Sequence, residues 1–331
     1  MSHSPLGSFL EGRVILLFES RIAKWIVSLS QIKSNFAGRW VVLSHQVPPI
    51  SKSKCVTDKY LAAMSQETTT QIHVATPQEV IESTYKIGIA KSQLPLPKLI
   101  LLGMLAGIYI SVGGLFSTLV GYGMPVLAEG NPILPKLLSG LTFPLGLILV
   151  QLVGAELFTG NNATLIPAVL SRQISWLSVL RNWGVVYCSN LAGALLFVYV
   201  LIYSVGLFTA EPWHSAIMGI AEHKVHLSWG NAFLRGIGAN WLVCLAVWLG
   251  FAARTPLARM VGLALPVTAF VVMGYEHSIA NMFYIPLGIL EGADVSIQDF
   301  FVANLIPVTL GNILGGALFV GSLYTYIYGK R

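Results

Sequence analysis

Long apolar runs separated by short polar connections dominate the chain beyond its first hundred residues. A helix needs about 20 apolar residues to cross the hydrocarbon core of a bilayer. Five runs of about that length or longer contain no Asp, Glu, Lys or Arg: Leu99–Val120, Leu137–Ala155, Trp183–Thr209, Gly236–Ala253 and Phe300–Gly329. A sixth, Met260–Leu290, is interrupted by Glu276 and His277. The pattern predicts six membrane-spanning helices.

The composition supports a bilayer as the solvent of this chain. Of its 331 residues, 55% are hydrophobic and 10% are charged, whereas soluble domains carry about 25% charged residues. Intrinsic disorder is excluded as well, because disordered chains are charge-rich and poor in apolar residues. We therefore expect an all-α integral membrane protein.

Residues 1–63 differ from the rest of the chain. They are Ser-rich and hold 8 Lys/Arg against 3 Asp/Glu, so they contribute most of the net charge of +6. Three interpretations stay open: an organellar transit peptide, an interfacial helix over Val14–Ile32, or translation upstream of a true start at Met64. No basic stripe interleaved with stacking aromatics follows, so we do not expect nucleic acid as a partner.

The remaining chain divides into two predicted parts. Residues 64–94 are expected to form a cytoplasmic amphipathic segment with a helix over Pro77–Ser92, and residues 95–331 a six-helix transmembrane channel domain.

Cytoplasmic loops are enriched in Lys and Arg. With six spans both termini share one side, and nine basic residues fall there: Lys86, Lys91, Lys98, Arg172, Arg181, Arg254, Arg259, Lys330 and Arg331. The opposite connections include Lys136 and Lys224. We expect both termini to be cytoplasmic in the cell (inner) membrane, or an organellar membrane if residues 1–63 are a transit peptide.

An internal repeat relates the two halves of the chain at an offset of about 120 residues. Gly-x-Glu-x-x-x-x-Asn occurs at residues 154–161 and again at residues 274–281. A second match, in the same order, joins the segments that begin at Asn190 and Asn312. Three spans per repeat is an odd number, so the second copy must enter the membrane from the opposite side. This inverted topology is typical of transporters and channels.

Both matching motifs predict a broken helix, in the second and the fifth spans. A break frees backbone polar groups, which is tolerable in a membrane only inside protein or beside a water-filled cavity. We expect Glu156 and Glu276 to clamp the broken backbone, with their carboxylates turned toward loop N–H groups. His277 is an ionisable residue within the membrane, which by default indicates function, and histidine changes charge near neutral pH.

Several motifs together resemble the formate/nitrite transporter family, most closely its bacterial formate channels. The resemblance covers nearly all of residues 64–331. The motifs that carry it are Gly154-Ala-Glu-Leu-Phe-Thr-Gly, Glu222-His-Lys-Val-His, Gly236-Ile-Gly-Ala-Asn-Trp-Leu-Val-Cys-Leu-Ala, Gly274-Tyr-Glu-His-Ser-Ile-Ala-Asn-Met and Asn304-Leu-Ile-Pro-Val-Thr-Leu-Gly-Asn. It implies an aquaporin-like bundle of six helices, a homopentamer, and a separate pore in each protomer.

The resemblance also implies roles for individual residues. His277 matches the central pore histidine, and Thr159 the threonine that hydrogen-bonds it. Two apolar constrictions are implied above and below this centre, formed by Phe143, Leu147, Leu157, Phe158 and Phe270. Lys224 matches a vestibule lysine. Asn240, Glu276 and Asn281 match polar residues near the pore, and Glu156 holds the corresponding acidic position.

These residues lead to a functional expectation. Burying an unpaired anion is prohibitive, whereas the neutral acid is much less costly. We expect small monovalent anions, formate foremost, to cross with a proton through a histidine-centred pore, with Lys224 raising the local anion concentration. Nitrite or hydrosulfide is the alternative substrate.

An aquaporin is disfavoured because neither break carries Asn-Pro-Ala. The chain is expected not to be an enzyme and to need no cofactor or metal, since His214, His223 and His226 make a poor zinc motif.

Overall fold

The computed structural model of the protein describes residues 74–329, so the predictions for residues 1–63 lie outside the described residues. This part of the chain is helical and contains no strand. In chain order its helices are α1 (Pro77–Ser92), α2 (Leu96–Tyr122), α3 (Pro125–Gly130), α4 (Ile133–Gly154), α5 (Phe158–Thr164), α6 (Ile166–Leu170), α7 (Trp176–Tyr203), α8 (Trp213–Val225), α9 (Trp229–Ala252), α10 (Pro256–Val272), α11 (Ser278–Leu290) and α12 (Asp299–Tyr328).

Six spans follow from these helices, as predicted. The helices α2, α4, α7, α9 and α12 are each long and apolar enough to cross a membrane. The second span is α4, continued across a break by α5 and α6. The fifth consists of the shorter helices α10 and α11, of 17 and 13 residues. The protein is thus an integral membrane bundle of two inverted three-span repeats.

Helix α1 occupies the residues predicted for it. Thr76 caps its first turn in a capping box with Glu79, and Pro77 stands at the first helical position, where its missing N–H costs nothing. The Thr76 backbone N–H, and then its hydroxyl, hold the pKa of the Glu79 carboxyl below its usual range. Lys91, in the last turn, forms a partly buried ion pair with Glu156.

The two breaks have the same backbone form. Gly154 ends α4 with φ 94° and Gly274 follows α10 with φ 71°, in the left-handed region that favours glycine. After each glycine, the N–H of the repeat's glutamate donates to a carbonyl of the first span of its own repeat. Glu156 donates to Leu102 O at 3.1 Å, and Glu276 to Arg235 O at 3.3 Å. Leu102 and Arg235 are therefore equivalent positions.

The first and third spans of each repeat pack through glycines. A Cβ on Gly193 of α7 would collide with the Met104 carbonyl oxygen on α2. At the equivalent contact, a Cβ on Gly315 of α12 would collide with the Ile237 carbonyl oxygen on α9. Small residues let membrane helices approach this closely, and van der Waals packing is what associates helices in lipid.

One hydrogen bond joins equivalent residues of the two repeats. The Tyr187 hydroxyl lies 2.8 Å from Thr309 Oγ1, and the two residues are 122 positions apart. Asn190 and Asn312 have the same separation. The pseudo-twofold axis that relates the repeats therefore passes between Tyr187 and Thr309.

Candidate functional site

A buried ion pair supports the break in the first repeat. Lys91 Nζ lies 2.7 Å from Glu156 Oε1, with the two side chains 19% and 8% exposed. Asn161 Nδ2 donates to Glu156 Oε2 at 2.7 Å and to Asn182 Oδ1 at 2.9 Å. Asn182 in turn donates to the carbonyl of Lys91 at 3.4 Å. The four side chains close a ring of hydrogen bonds around the carboxylate.

The second repeat builds the same ring from equivalent residues. Lys224 Nζ lies 3.0 and 3.1 Å from the two carboxylate oxygens of Glu276. Asn281 Nδ2 donates to Glu276 Oε2 at 2.8 Å and to Asn304 Oδ1 at 2.7 Å. Asn304 donates to the Lys224 carbonyl at 2.9 Å. The two networks lie on opposite sides of the bundle's centre, as inverted repeats require.

A buried asparagine on the third span of each repeat holds the broken backbone. Asn190 Nδ2 donates to Gly103 O at 2.8 Å and to Glu156 O at 2.9 Å, and its Oδ1 accepts the N–H of Phe158 at 3.0 Å. These bonds satisfy groups that the break frees. Asn312 makes the equivalent bonds with Gly236 O, Glu276 O and Ser278 N, at 2.8, 3.0 and 2.8 Å.

The orientation expected for the two carboxylates is wrong. Glu156 and Glu276 point to a lysine and an asparagine rather than to loop N–H groups. A buried carboxylate needs a counter-charge as well as donors, and Lys91 and Lys224 provide it. The loop N–H groups are taken by other acceptors, such as Asn190 Oδ1. Sequence reasoning missed Lys91, which it counted only as a sign of orientation.

His277 and Thr159 meet at the centre of the bundle. The His277 Nε2 atom lies 2.9 Å from Thr159 Oγ1, and both residues are buried. His277 also caps α11, since its Nδ1 accepts the Ala280 N–H at 3.1 Å. A nitrogen that accepts this bond carries no proton, so the proton of a neutral imidazole lies on Nε2. Leu157 is the equivalent residue of the first repeat, so the centre contains one imidazole.

Aromatic side chains close over the imidazole. The Phe143 and Phe270 rings meet edge to face at 5.8 Å, and Phe270 stacks on the His277 ring at 6.0 Å. These three residues line a cavity of about 670 Å³. On the other side Phe158 is buried against the Tyr187 ring, with centroids 4.8 Å apart. Leu147 and Leu157, the remaining residues of the predicted constrictions, are buried in the same apolar core.

The predicted polar residues divide into two groups. Glu276 and Asn281 line the cavity together with Lys224. Asn240 lies beside Thr159 instead, where its amide donates to Thr159 O at 3.2 Å and to Asn312 O at 2.6 Å. It therefore braces the loop that carries Thr159.

The cavity opens through a vestibule that α8 helps to form. Lys224 stands in the last turn of this helix, which the sequence analysis did not predict. His223, Lys136 and Arg235 also line the vestibule. Sequence reasoning missed Arg235, which precedes an apolar run and matches none of the motifs. His214 and His226 instead contact backbone carbonyls of Glu291 and Glu222, at 3.1 and 2.7 Å.

Comparisons with known proteins agree with this architecture. The sequence model of the formate/nitrite transporter family matches residues 78–326. A probable formate transporter of Methanothermobacter thermautotrophicus is 42% identical over 270 residues, covering 77% of this chain and 97% of that protein. The formate channel FocA of Escherichia coli K12 is 36% identical over 271 residues, covering 76% and 94%.

Solved structures show the same fold. A pentameric formate channel with formate bound superposes with a TM-score of 0.62 at 40% identity, covering 71% of this chain and 98% of that chain. An ion channel of the same family superposes with a TM-score of 0.69 at 27% identity, covering 75% and 98%. The chain therefore belongs to the formate/nitrite transporter family, a family of membrane transporters and channels rather than enzymes.

Proposed function

We propose that the protein carries small monovalent anions, formate foremost, across the membrane through a pore centred on His277, and that a proton accompanies each anion. The observation that carries the proposal is the buried His277–Thr159 pair, whose imidazole lines a cavity together with Phe143 and Phe270. Relatives named as formate channels and formate transporters support formate as the substrate.

The apolar constrictions give the physical reason for proton linkage. An anion that leaves the vestibule must shed water between two phenyl rings, and an unpaired buried charge is prohibitively costly. Protonation converts formate into neutral formic acid, for which the same passage is much cheaper. The buried hydroxyl and imidazole then offer the acid hydrogen bonds at the centre.

The source of the proton follows from the partners of His277. Protonating Nδ1 would break the bond from the Ala280 N–H, and a neutral imidazole cannot give up its Nε2 proton near neutral pH. The proton therefore comes from a solvent hydronium ion in the vestibule, which becomes water when its proton joins formate. His277 contributes a fixed N–H donor, and Thr159 Oγ1 is its resting acceptor.

The assembly and the sidedness belong to the same proposal. We propose a homopentamer in the cell membrane, with both termini cytoplasmic. A solved relative described as a pentameric formate channel supports the first statement. The excess of Lys and Arg on the side of the termini supports the second.

Uptake of radiolabelled formate into proteoliposomes tests the proposal. Flux should saturate and should rise as the pH falls, because the protonated fraction of formate grows. The His277→Phe variant should lose this flux. The His226→Phe variant makes the same substitution at an exposed helix end and should transport like the original protein.

Competition distinguishes the substrates. Unlabelled formate should suppress the labelled flux more effectively than nitrite or hydrosulfide. Suppression that is far stronger with nitrite would assign the pore to nitrite. Undiminished flux in the His277→Phe variant would remove the histidine from the mechanism.

A further inference from the structure

The vestibule lysine is a poor collector of anions. Both carboxylate oxygens of Glu276 lie within 3.1 Å of Lys224 Nζ, and the side chains of this pair are 13% and 4% exposed. A pair of opposite charges this close is a dipole, whose field falls off faster with distance than that of a single charge. Lys224 was expected to raise the local anion concentration, but in this pair it attracts anions only weakly. Other residues must therefore provide the attraction.

Two cationic side chains at the same vestibule have no carboxylate partner. Lys136, Lys224 and Arg235 line the cavity, and Glu276 is the one carboxylate among the described residues that line it. Since Glu276 is paired with Lys224, Lys136 and Arg235 leave two uncompensated positive charges. Within residues 74–329 neither forms an ion pair.

Arg235 is fixed at the rim of the break that carries His277. Its carbonyl accepts the Glu276 N–H at 3.3 Å, and its Nη1 donates to the Gly274 carbonyl at 3.4 Å. A guanidinium has five N–H donors, and this one long bond is the side-chain hydrogen bond that Arg235, a residue lining the cavity, makes within the described residues. Such a fork matches the two oxygens of a carboxylate.

We propose that Arg235, assisted by Lys136, is the site where the vestibule collects small monocarboxylate anions before they enter the Phe143–Phe270 constriction. This inference rests on the proposed transport function and adds its point of entry. The equivalent position of the first repeat is Leu102, so the scaffold does not require a cation there. Arg235 is a feature of one mouth of the pore.

The vestibule potential can be measured without transport. In an Ala216→Cys variant, whose new thiol would face the same cavity, an anionic and a cationic methanethiosulfonate reagent report the local charge through their relative rates. Reaction of the protein's own cysteines is subtracted by treating the protein without this substitution. Adding Arg235→Gln should lower the anionic-to-cationic rate ratio by roughly threefold to tenfold at low ionic strength. An unchanged ratio overturns the proposal.

Transport gives the second measurement. The Arg235→Gln variant should need several times more formate for half-maximal flux in about 0.01 M salt, with a similar maximal rate. The difference should shrink in about 1 M salt, because the screening length falls from about 30 Å to about 3 Å. Arg235→Lys keeps the charge and should keep most of the affinity, and Lys136→Gln should show a smaller effect of the same kind.

The controls separate this proposal from the proposed function. Lys98→Gln removes an exposed cation that does not line the vestibule and should change neither measurement. If the original protein carries no formate but Arg235→Gln changes the thiol rate ratio, the transport proposal fails and the anion-collecting vestibule stands. If formate flux is normal and half-saturation is the same in Arg235→Gln at low salt, this inference fails alone.

Discussion

Single residues in this protein act through partners that are distant in the chain. Lys91 and Glu156 are 65 positions apart, and Asn190 reaches Gly103 across 87. The motif around each break identified Glu156, Glu276 and His277, because these residues recur or stand out in an apolar run. Lys91 and Asn182 could not be predicted in the same way, since no local pattern marks a partner that only folding brings close.

The Lys91–Glu156 pair yields a stability prediction. Lys91→Met leaves a buried carboxylate without its counter-charge, which should destabilise the protein by about 3–5 kcal/mol. Combining it with Glu156→Gln removes both charges and should restore most of the loss. Thermal unfolding in detergent measures both effects. Equal stability of Lys91→Met and the original protein would show that the Glu156 carboxylate does not need this counter-charge.

Thr159 yields a prediction about the pore centre. Thr159→Val leaves the Nε2–H of His277 without its acceptor, and an unsatisfied buried donor costs about 1–3 kcal/mol. Formate flux should fall and the melting temperature should drop. Thr159→Ser keeps the hydroxyl and should recover both. Normal flux in Thr159→Val would contradict the proposed role of the hydroxyl.

At the scale of helices, the lengths of the apolar runs predicted the number of spans, but not whether each span is one continuous helix or two shorter ones. The interrupted run Met260–Leu290, the fifth span, is two helices, as the motif around Glu276 predicted, because Gly274 and the residues up to His277 leave the helical path. Helix α8 went unpredicted, because Trp213–Val225 mixes polar and apolar residues and lies between two spans. What defines the bundle is the close approach of α2 to α7 and of α9 to α12. The glycines that permit it are scattered in the sequence and do not predict which helices pack together.

The glycine contacts can be tested with a matched pair on α7. Gly193→Ala would place a methyl group against the Met104 carbonyl and should lower the melting temperature, since overpacking costs about 1–3 kcal/mol. Gly184→Ala meets open space on the same helix and should leave stability unchanged or slightly higher. Equal melting temperatures for the two variants would argue against tight packing at Gly193.

At the scale of the whole molecule, the inverted repeat was predictable because two matches recur in the same order. The assembly was implied by resemblance alone. Many large side chains on the outer faces of the bundle are apolar and exposed, among them Leu101, Leu177 and Leu265. These side chains need lipid or neighbouring protomers around them.

Native mass spectrometry from detergent tests the assembly. The proposed homopentamer should give a mass of five copies of the 35.8 kDa chain. His277→Phe, which changes a buried residue at the pore centre, should assemble in the same way. A purely monomeric species that still transports formate in proteoliposomes would contradict the pentamer and keep the pore within one protomer.

Arg235 stands where the first repeat has Leu102, and this difference makes the two mouths of a nearly symmetric scaffold unequal. At equilibrium, passage in the two directions must balance, so a fixed charge at one mouth changes the rates of passage in both directions by the same factor. Arg235 cannot shift the concentrations at which net movement stops. It determines instead how low the substrate concentration on one side can fall before the pore is mostly unoccupied.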